Sequence, residues 1–296
     1  MDSRVPADAD ASGALQILAP ADQRLPIVLA SPHSGRAYPD TFIAASQLDP
    51  LALRRSEDGY VDEIFARAPL HGAPLLKALF PRAFLDTNRE AFELDPEMFV
   101  DPLPAYVNTR SPRVIAGLGT IARIVGQGQE IYRCKLDFAE ALRRINRLYR
   151  PYHRALTDLV EATRLRFGLC ILIDCHSMPS SGDAPGDHAG VSPADFVLGD
   201  CHGSSCSAAV VETAEAWLED RGYSVVRNAP YAGGYTTRHY GRPRVGVHAL
   251  QIEINRSLYM DERRLTRKPY LATLAKEMPL LIEALGQIDV AALRAA

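Results

Sequence analysis

The sequence has no apolar run approaching the ~20 residues that span a bilayer, no basic excess, no internal repeat and no low-complexity segment. The first absence argues against a helical membrane protein. The second argues against a nucleic-acid binder, because 33 Lys and Arg against 36 Asp and Glu leave a formal charge of −3. Cysteine is sparse and odd in number, at five in 296 residues. A disulfide framework is therefore not expected, and a reducing cytoplasm is the natural setting. The opening stretch MDSRVPADADASGALQ lacks the basic start and apolar core of a secretory signal. With 47% apolar and 23% charged residues, disorder, collagen-like and coiled-coil states are excluded as the main one.

What is present is an alternation of apolar strands and amphipathic helices. Residues 1–20 have no clear period and are expected to be a mobile lead-in, followed by one catalytic domain over 21–296. The run LPIVLA ends in the turn signal SPHSG, so a buried strand is expected there. Residues 57–69 place Val61, Ile64, Phe65 and Ala68 at helical spacing behind the acids Glu57 and Asp58. APLLKALF and AFLDTN read as extended pieces, and residues 93–120 as a long Pro- and Asp-rich loop. A helix is expected over 137–166, kinked or split by Pro151. GLCILID reads as a strand ending at Cys175-His176-Ser177, with a loop over 178–195. FVLGD and YSVVRN are short strands, a helix over 205–221 ends at Gly222, and YAGGYTTRHYGRPR is a glycine-rich loop. VGVHALQIEIN is a long strand, and 264–287 a closing helix. The pattern predicts an α/β fold with a mixed or largely parallel sheet covered by helices on both sides.

In such folds ligands gather at the carboxyl ends of strands. His33 and His176 each follow a buried strand, which is where two imidazoles can start a zinc site. The alternative for each is a hydrogen-bonded loop histidine. A carboxylate ligand is offered by Glu57 or Asp58, either of which could equally serve as a helix N-terminal partner. Asp174 could be a further ligand, or could fix a histidine ring from behind. In HALQIEIN, the period of two sets Gln251, Glu253 and Asn255 on one face, against Leu250, Ile252 and Ile254 on the other. A carboxylate inside such a strand is either a general base for an activated water or a buried ion pair with Arg89 or Arg256. Arg89, Arg238, Arg256 and His239 form a pool of groups suited to an anionic substrate.

Three other patterns carry less weight. Gly117-Leu118-Gly119-Thr120-Ile121-Ala122 matches a dinucleotide fingerprint but follows no full strand. Cys170/Cys175 and Cys201/Cys206 have zinc-like spacing, yet small core residues are the simpler role. No G-x-S-x-G is present for a serine hydrolase.

The segments SPHSGRAYP, SEDGYVDEIF, FPRAFLDTNRE, GLGTIARIV, IDCHSMPS, GGYTTRHYGRP and ALQIEINRSLYMDE occur in this order over roughly residues 25–285. They resemble the N-formylglutamate amidohydrolases, a family similar in architecture to zinc carboxypeptidases and aspartoacylase-type deacylases. The resemblance implies a three-layer α/β/α sandwich, a zinc ion and hydrolysis of N-formyl-L-glutamate to formate and L-glutamate in histidine degradation. It implies His33, His176 and Asp58 (or Glu57) as metal ligands, since Arg36 stands where the carboxypeptidase His-x-x-Glu motif has its glutamate. It further implies Glu253 as proton carrier and Arg89 as oxyanion partner, with Arg238, His239 and Arg256 as substrate-carboxylate partners. Co, Fe or Mn could share such ligands with zinc. The competing readings are a deacylase of another N-acyl acidic amino acid and a non-catalytic anion-binding module. No nucleic-acid or membrane partner is expected.

Overall fold

The computed structural model describes residues 13–126, 128–180 and 194–294. Among them, seven strands form one sheet: β1 (Leu15–Leu18), β2 (Ile27–Ser31), β3 (Leu75–Ala78), β4 (Cys170–Met178), β5 (Phe196–Gly199), β6 (Val225–Arg227) and β7 (Val247–Asn255). Their spatial order is β1-β3-β2-β4-β7-β5-β6. Strands β3, β2, β4 and β7 run parallel. β1 is antiparallel at one edge, and β5 pairs antiparallel with β7 and carries β6 at the other.

The central strands are buried along their whole length. Their alternation feeds two cores. Ile27 and Leu29 of β2, Ile171 and Ile173 of β4, and Ile252 and Ile254 of β7 face one core. That face is covered by α1 (Val61–Ile64), α3 (Ala208–Glu219) and α5 (Leu271–Gly286), through Ile64, Val210, Leu218, Leu274 and Leu281. Val28, Ala30, Leu172 and Ala249 face the other core, with Tyr152, Leu156 and Val160 of α2 (Arg150–Phe167) and Tyr240 of α4 (Tyr235–Tyr240). Strands apolar on both faces need helices on both sides, and the result is the expected three-layer α/β/α arrangement.

Several local readings change. Leu15–Leu18 already lies in the sheet, paired with β3, so ordered structure begins before residue 21; residues 1–12 lie outside the described residues. Most of the expected 178–195 loop also lies outside them. Glu57 and Asp58 do not open a helix: α1 starts at Val61, behind Tyr60 in the left-handed region at φ 66°. Strand β4 continues to Met178, so His176 sits within a strand rather than after one. AFLDTN is not a strand; its polar groups turn inward. Tyr235–Tyr240 is helical where a loop was expected, and the closing helix starts at Leu271 rather than at 264. The expected helix over 137–166 is interrupted just before Pro151, with α-helical Phe138–Arg144 on one side and α2 on the other. The interruption is a π-helical turn at Ile145–Tyr149, which places Pro151 in the first turn of α2, where a missing N–H is tolerated. Gly35, just after His33, is required by close approach, because a Cβ there would collide with the Phe80 carbonyl.

Helix α2 also braces the site. His153 places Nε2 2.9 Å from the Thr87 carbonyl and Nδ1 2.9 Å from the Tyr240 hydroxyl, next to Asn88 in sequence. Burial pushes His153 down to about 4 against an unfolded value near 6.5. Between those values the unfolded chain binds the extra proton, so stability falls as pH drops through this window. Denaturant unfolding of wild type and His153→Gln from about pH 7.5 to about pH 4.5 should show the wild type losing about 2 kcal/mol more than the variant. Parallel loss in both proteins would rule this out.

Candidate metal centre and cleft

The site forms where β2, β4 and β7 end side by side. His33 follows β2 in the turn Ser31–Gly35, and the Asp58 amide donates to the His33 carbonyl at 3.1 Å. The Ser34 hydroxyl donates to the Asp58 carbonyl at 2.9 Å, which ties the two segments together. In the parallel β4/β7 register Asp174 is opposite Gln251, and His176 is opposite Glu253. All four therefore share one face of the sheet, as strand alternation requires.

His33, Asp58 and His176 converge. They are 1%, 1% and 3% exposed, and one ligand atom from each lies within 4.8 Å of the others. Asp58 Oδ2 is 2.9 Å from His176 Nδ1 and 3.3 Å from His33 Nδ1. The outer nitrogens also meet carboxylates. His33 Nε2 is 2.7 Å from Asp86 Oδ1, and His176 Nε2 is 3.0 Å from Asp174 Oδ1. Such carboxylate–histidine pairs orient imidazoles toward a metal. Asn88 Nδ2 lies 3.1 Å from His176 Nε2 and 3.3 Å from Asp174 Oδ2, and its Oδ1 accepts from the Thr236 amide at 2.7 Å.

The donor set fits a cation. A carboxylate only accepts, so His33 Nε2 carries the proton it shares with Asp86. With that proton on Nε2, a neutral ring would set its Nδ1 lone pair against the Asp58 oxygen, so the 3.3 Å contact closes only with a second proton on Nδ1 or a metal ion between them. The surroundings favour positive charge there. Burial opposes charge on His176, but Asp174 and Asp58 outweigh it and hold the ring well above its ordinary value. Burial likewise opposes charge on Asp58, but hydrogen bonds from His176 and His33 hold its carboxyl well below the usual range. The same balance applies to Asp86, with Arg89, His33 and Arg82 prevailing over burial.

Three arginines hold these acids. Arg256 donates to Asp58 Oδ1 at 2.9 Å, and Arg82 to Asp86 Oδ2 at 2.9 Å. Arg89 lies 3.6 Å from Asp86 Oδ2, while its Nε and Nη1 donate to the carbonyls of Leu118 and Asn88. Burial pushes Arg89 down to about 10 despite Asp86. Glu253 accepts from Gln251 Nε2 at 3.0 Å through Oε1. Burial, joined by the Asp58 charge, pushes it up to about 7 against the pull of His176, Arg82 and Arg256.

These groups line a cleft of about 250 Å³, walled by the segments around Leu118–Gly126 and Pro230–Gly234. Arg113 and Arg55 also line it and are exposed. Arg113 makes no ion pair among the described residues.

The structure thus brings His33, Asp58, His176, Glu253, Arg89 and Arg256 together, with Asp174 behind His176. It separates the others. Glu57 faces away, held by Arg54 at 2.9 and 3.0 Å and by the Tyr38 hydroxyl at 2.9 Å. Arg238 and His239 are exposed on α4 outside the cleft lining; Arg238 donates to the Gly233 carbonyl and His239 stacks on Tyr235. Sequence reasoning did not single out Arg82, Asp86 or Asn88. The signal was the polar run Asp86-Thr87-Asn88-Arg89 directly behind buried Leu85. Gly117–Ala122 forms part of the cleft wall rather than a strand-to-helix turn. The cysteines are unpaired, with Cys170, Cys175 and Cys206 buried. No described helix is long and apolar enough to cross a membrane.

The fold and sequence agree with known proteins. The chain has 39% identity and a TM-score of 0.86 to the crystal structure of N-formylglutamate amidohydrolase from Ralstonia eutropha JMP134, covering 91% of this chain and 96% of that one. It is 30% identical to N-formylglutamate deformylases of Pseudomonas putida and Pseudomonas aeruginosa, each match covering 81% of this chain and 83% and 84% of theirs. A gene product of Agrobacterium tumefaciens, 20% identical with a TM-score of 0.63, shares the fold. The family model for N-formylglutamate amidohydrolase matches residues 25–260, the span that carries His33, Asp58, His176 and Glu253, and the chain belongs to that family.

Proposed function

We propose that this protein hydrolyses N-formyl-L-glutamate to formate and L-glutamate, with a divalent metal ion, zinc by preference, held by His33, Asp58 and His176. The observation that carries the reading is the buried His33–Asp58–His176 trio beside Glu253, within a chain of this family. The bound ion would supply Lewis acidity to water and to the formyl oxygen. Co, Fe or Mn would suit the same donors.

The chain's own groups account for the rest. Glu253, near neutrality at about 7, takes a proton from the attacking water and returns it to the departing amine. The water oxygen bonds to the formyl carbon, the C–N bond breaks, and formate and the free amine leave. Arg82 and Arg89 bracket Asp86 and bring positive charge to the cleft, where the oxyanion develops. Arg256 is committed to Asp58 and acts by orienting it. Since Arg238 and His239 lie outside the cleft, the substrate carboxylates fall to Arg113 and Arg55.

Metal analysis should find one divalent ion per chain, and chelation should abolish formate release, which zinc restores. Full activity in exhaustively metal-free protein overturns the metal reading. Faster turnover of N-acetyl or N-succinyl acidic amino acids than of N-formylglutamate would favour the wider deacylase reading. Glu253→Gln should lower kcat by roughly 10²–10⁴-fold while metal content stays stoichiometric; near wild-type turnover would remove Glu253 from proton transfer. Arg113→Ala should raise KM for N-formylglutamate by about tenfold or more with kcat little changed. The same change for N-formylglutamine would show that Arg113 does not read the side-chain carboxylate.

A further inference from the structure

Gln251 is one residue on from the apolar Leu250 and two before Glu253, on the polar face of β7. It is buried, at 4% exposure, and both ends of its amide are used. Its Oε1 accepts the Gly234 amide at 2.8 Å, and its Nε2 donates to Glu253 Oε1 at 3.0 Å. The side chain thus spans from the Pro230–Gly234 cleft wall to the carboxylate. Glu253 Oε2 accepts no hydrogen bond among the described residues, and Glu253 lines the cleft. One oxygen is held and the other is left for a reacting proton.

The chain just past the wall is pinned as well, at Thr236 in the first turn of α4. Asn88 Oδ1 accepts the Thr236 amide at 2.7 Å, while its Nδ2 approaches Asp174 and His176. A Cβ on Gly234 would collide with the Asn88 amide, so the wall approaches the site as closely as it does because residue 234 is glycine. Two side-chain amides therefore tie one glycine-rich segment to the reacting groups.

We propose that Gln251 is a positioning residue: it locks the rotamer of Glu253 and joins that carboxylate to the Pro230–Gly234 wall. The proposal rests on Glu253 being the proton carrier of the deformylase reaction. An amide suits this task better than a carboxylate or a hydroxyl. It presents a donor to Glu253 and an acceptor to the backbone at once, in a fixed plane. A second carboxylate at 251 would face Glu253 with like charge, and an apolar residue would leave both partners unpaired in a buried site.

The test compares Gln251→Met and Gln251→Glu, each alone and with Glu253→Gln, using metal-loaded full-length protein and N-formylglutamate. Gln251→Met removes both hydrogen bonds at similar volume. Gln251→Glu keeps the acceptor for Gly234 and removes the donor to Glu253, so it reads the second contact even where the methionine variant does not fold. Each is expected to lower kcat by about 10- to 100-fold with KM within about threefold, the size of loss that misplacement of a reacting group produces. With Glu253→Gln in place, neither change should lower the residual rate further, because both act through the same carboxylate. A crystal structure of the folded variant should show the Glu253 side chain moved or spread over rotamers on an unchanged backbone.

Either variant retaining more than about half of wild-type kcat overturns the proposal, as does an equal fold-loss with and without Glu253. An unmoved Glu253 carboxylate in the variant structure overturns it whatever the rates. Absence of formate release by wild-type protein instead overturns the deformylase reading, and the structural arm still decides whether Gln251 holds Glu253.

Discussion

A single buried carboxylate organises this molecule's cleft. Asp58 receives His33 and His176 on one oxygen and Arg256 on the other, at 1% exposure. Removing that charge from water costs several kcal/mol, so it persists only because cations and N–H groups surround it. Those partners come from four chain segments: the turn after β2, strand β4, the segment after β7, and the Arg82–Arg89 run beyond β3. Each must be in register for the charge to be balanced. The parallel β2/β4/β7 ladder provides that register, and the two apolar cores hold the ladder in place.

The electrostatics repeat the logic one layer out. Asp86 and Asp174 stand behind the two histidines, and Arg82 and Arg89 stand around Asp86. Acids alternate with cations, so each histidine nitrogen has an assigned partner. Glu253 is the exception. It has no arginine within ion-pair distance among the described residues, only the Gln251 amide, and burial leaves it near neutrality. Asp58 and Asp86 are held low by their cationic partners, and Glu253 is held high. Environment alone separates them.

Much of this is legible in the sequence because strand periodicity is local. The period of two puts Glu253 on a polar face with Gln251, and the apolar runs before them mark His33 and His176, although the second strand runs on past His176 to Met178. Glu57 and Asp58 cannot be separated in the same way. They are adjacent in a segment outside any helix or strand, and which one meets the histidines depends on how that segment lies over the sheet: Glu57 turns to Arg54 and Asp58 to His176. Arg238 and His239 share a motif with the site, yet helical turning carries them to the exposed face of α4 while Thr236 and Thr237 turn inward. Arg82, Asp86 and Asn88 lie in turns with no period to read.

The sequence by itself determined the α/β class, the two-sided burial of the central strands, the family resemblance and the placement of His33, His176 and Glu253 on or just behind central strands. These depend on spacing along the chain, which a local steric rule converts into direction. Only the tertiary structure decided which of two neighbouring acids meets the histidines, which arginines enter the cleft, and that amide side chains bridge the glycine-rich wall to the site. Those choices depend on contacts between residues as far apart as Asp58 and Arg256, and such contacts are set by packing of whole elements rather than by the residues between them.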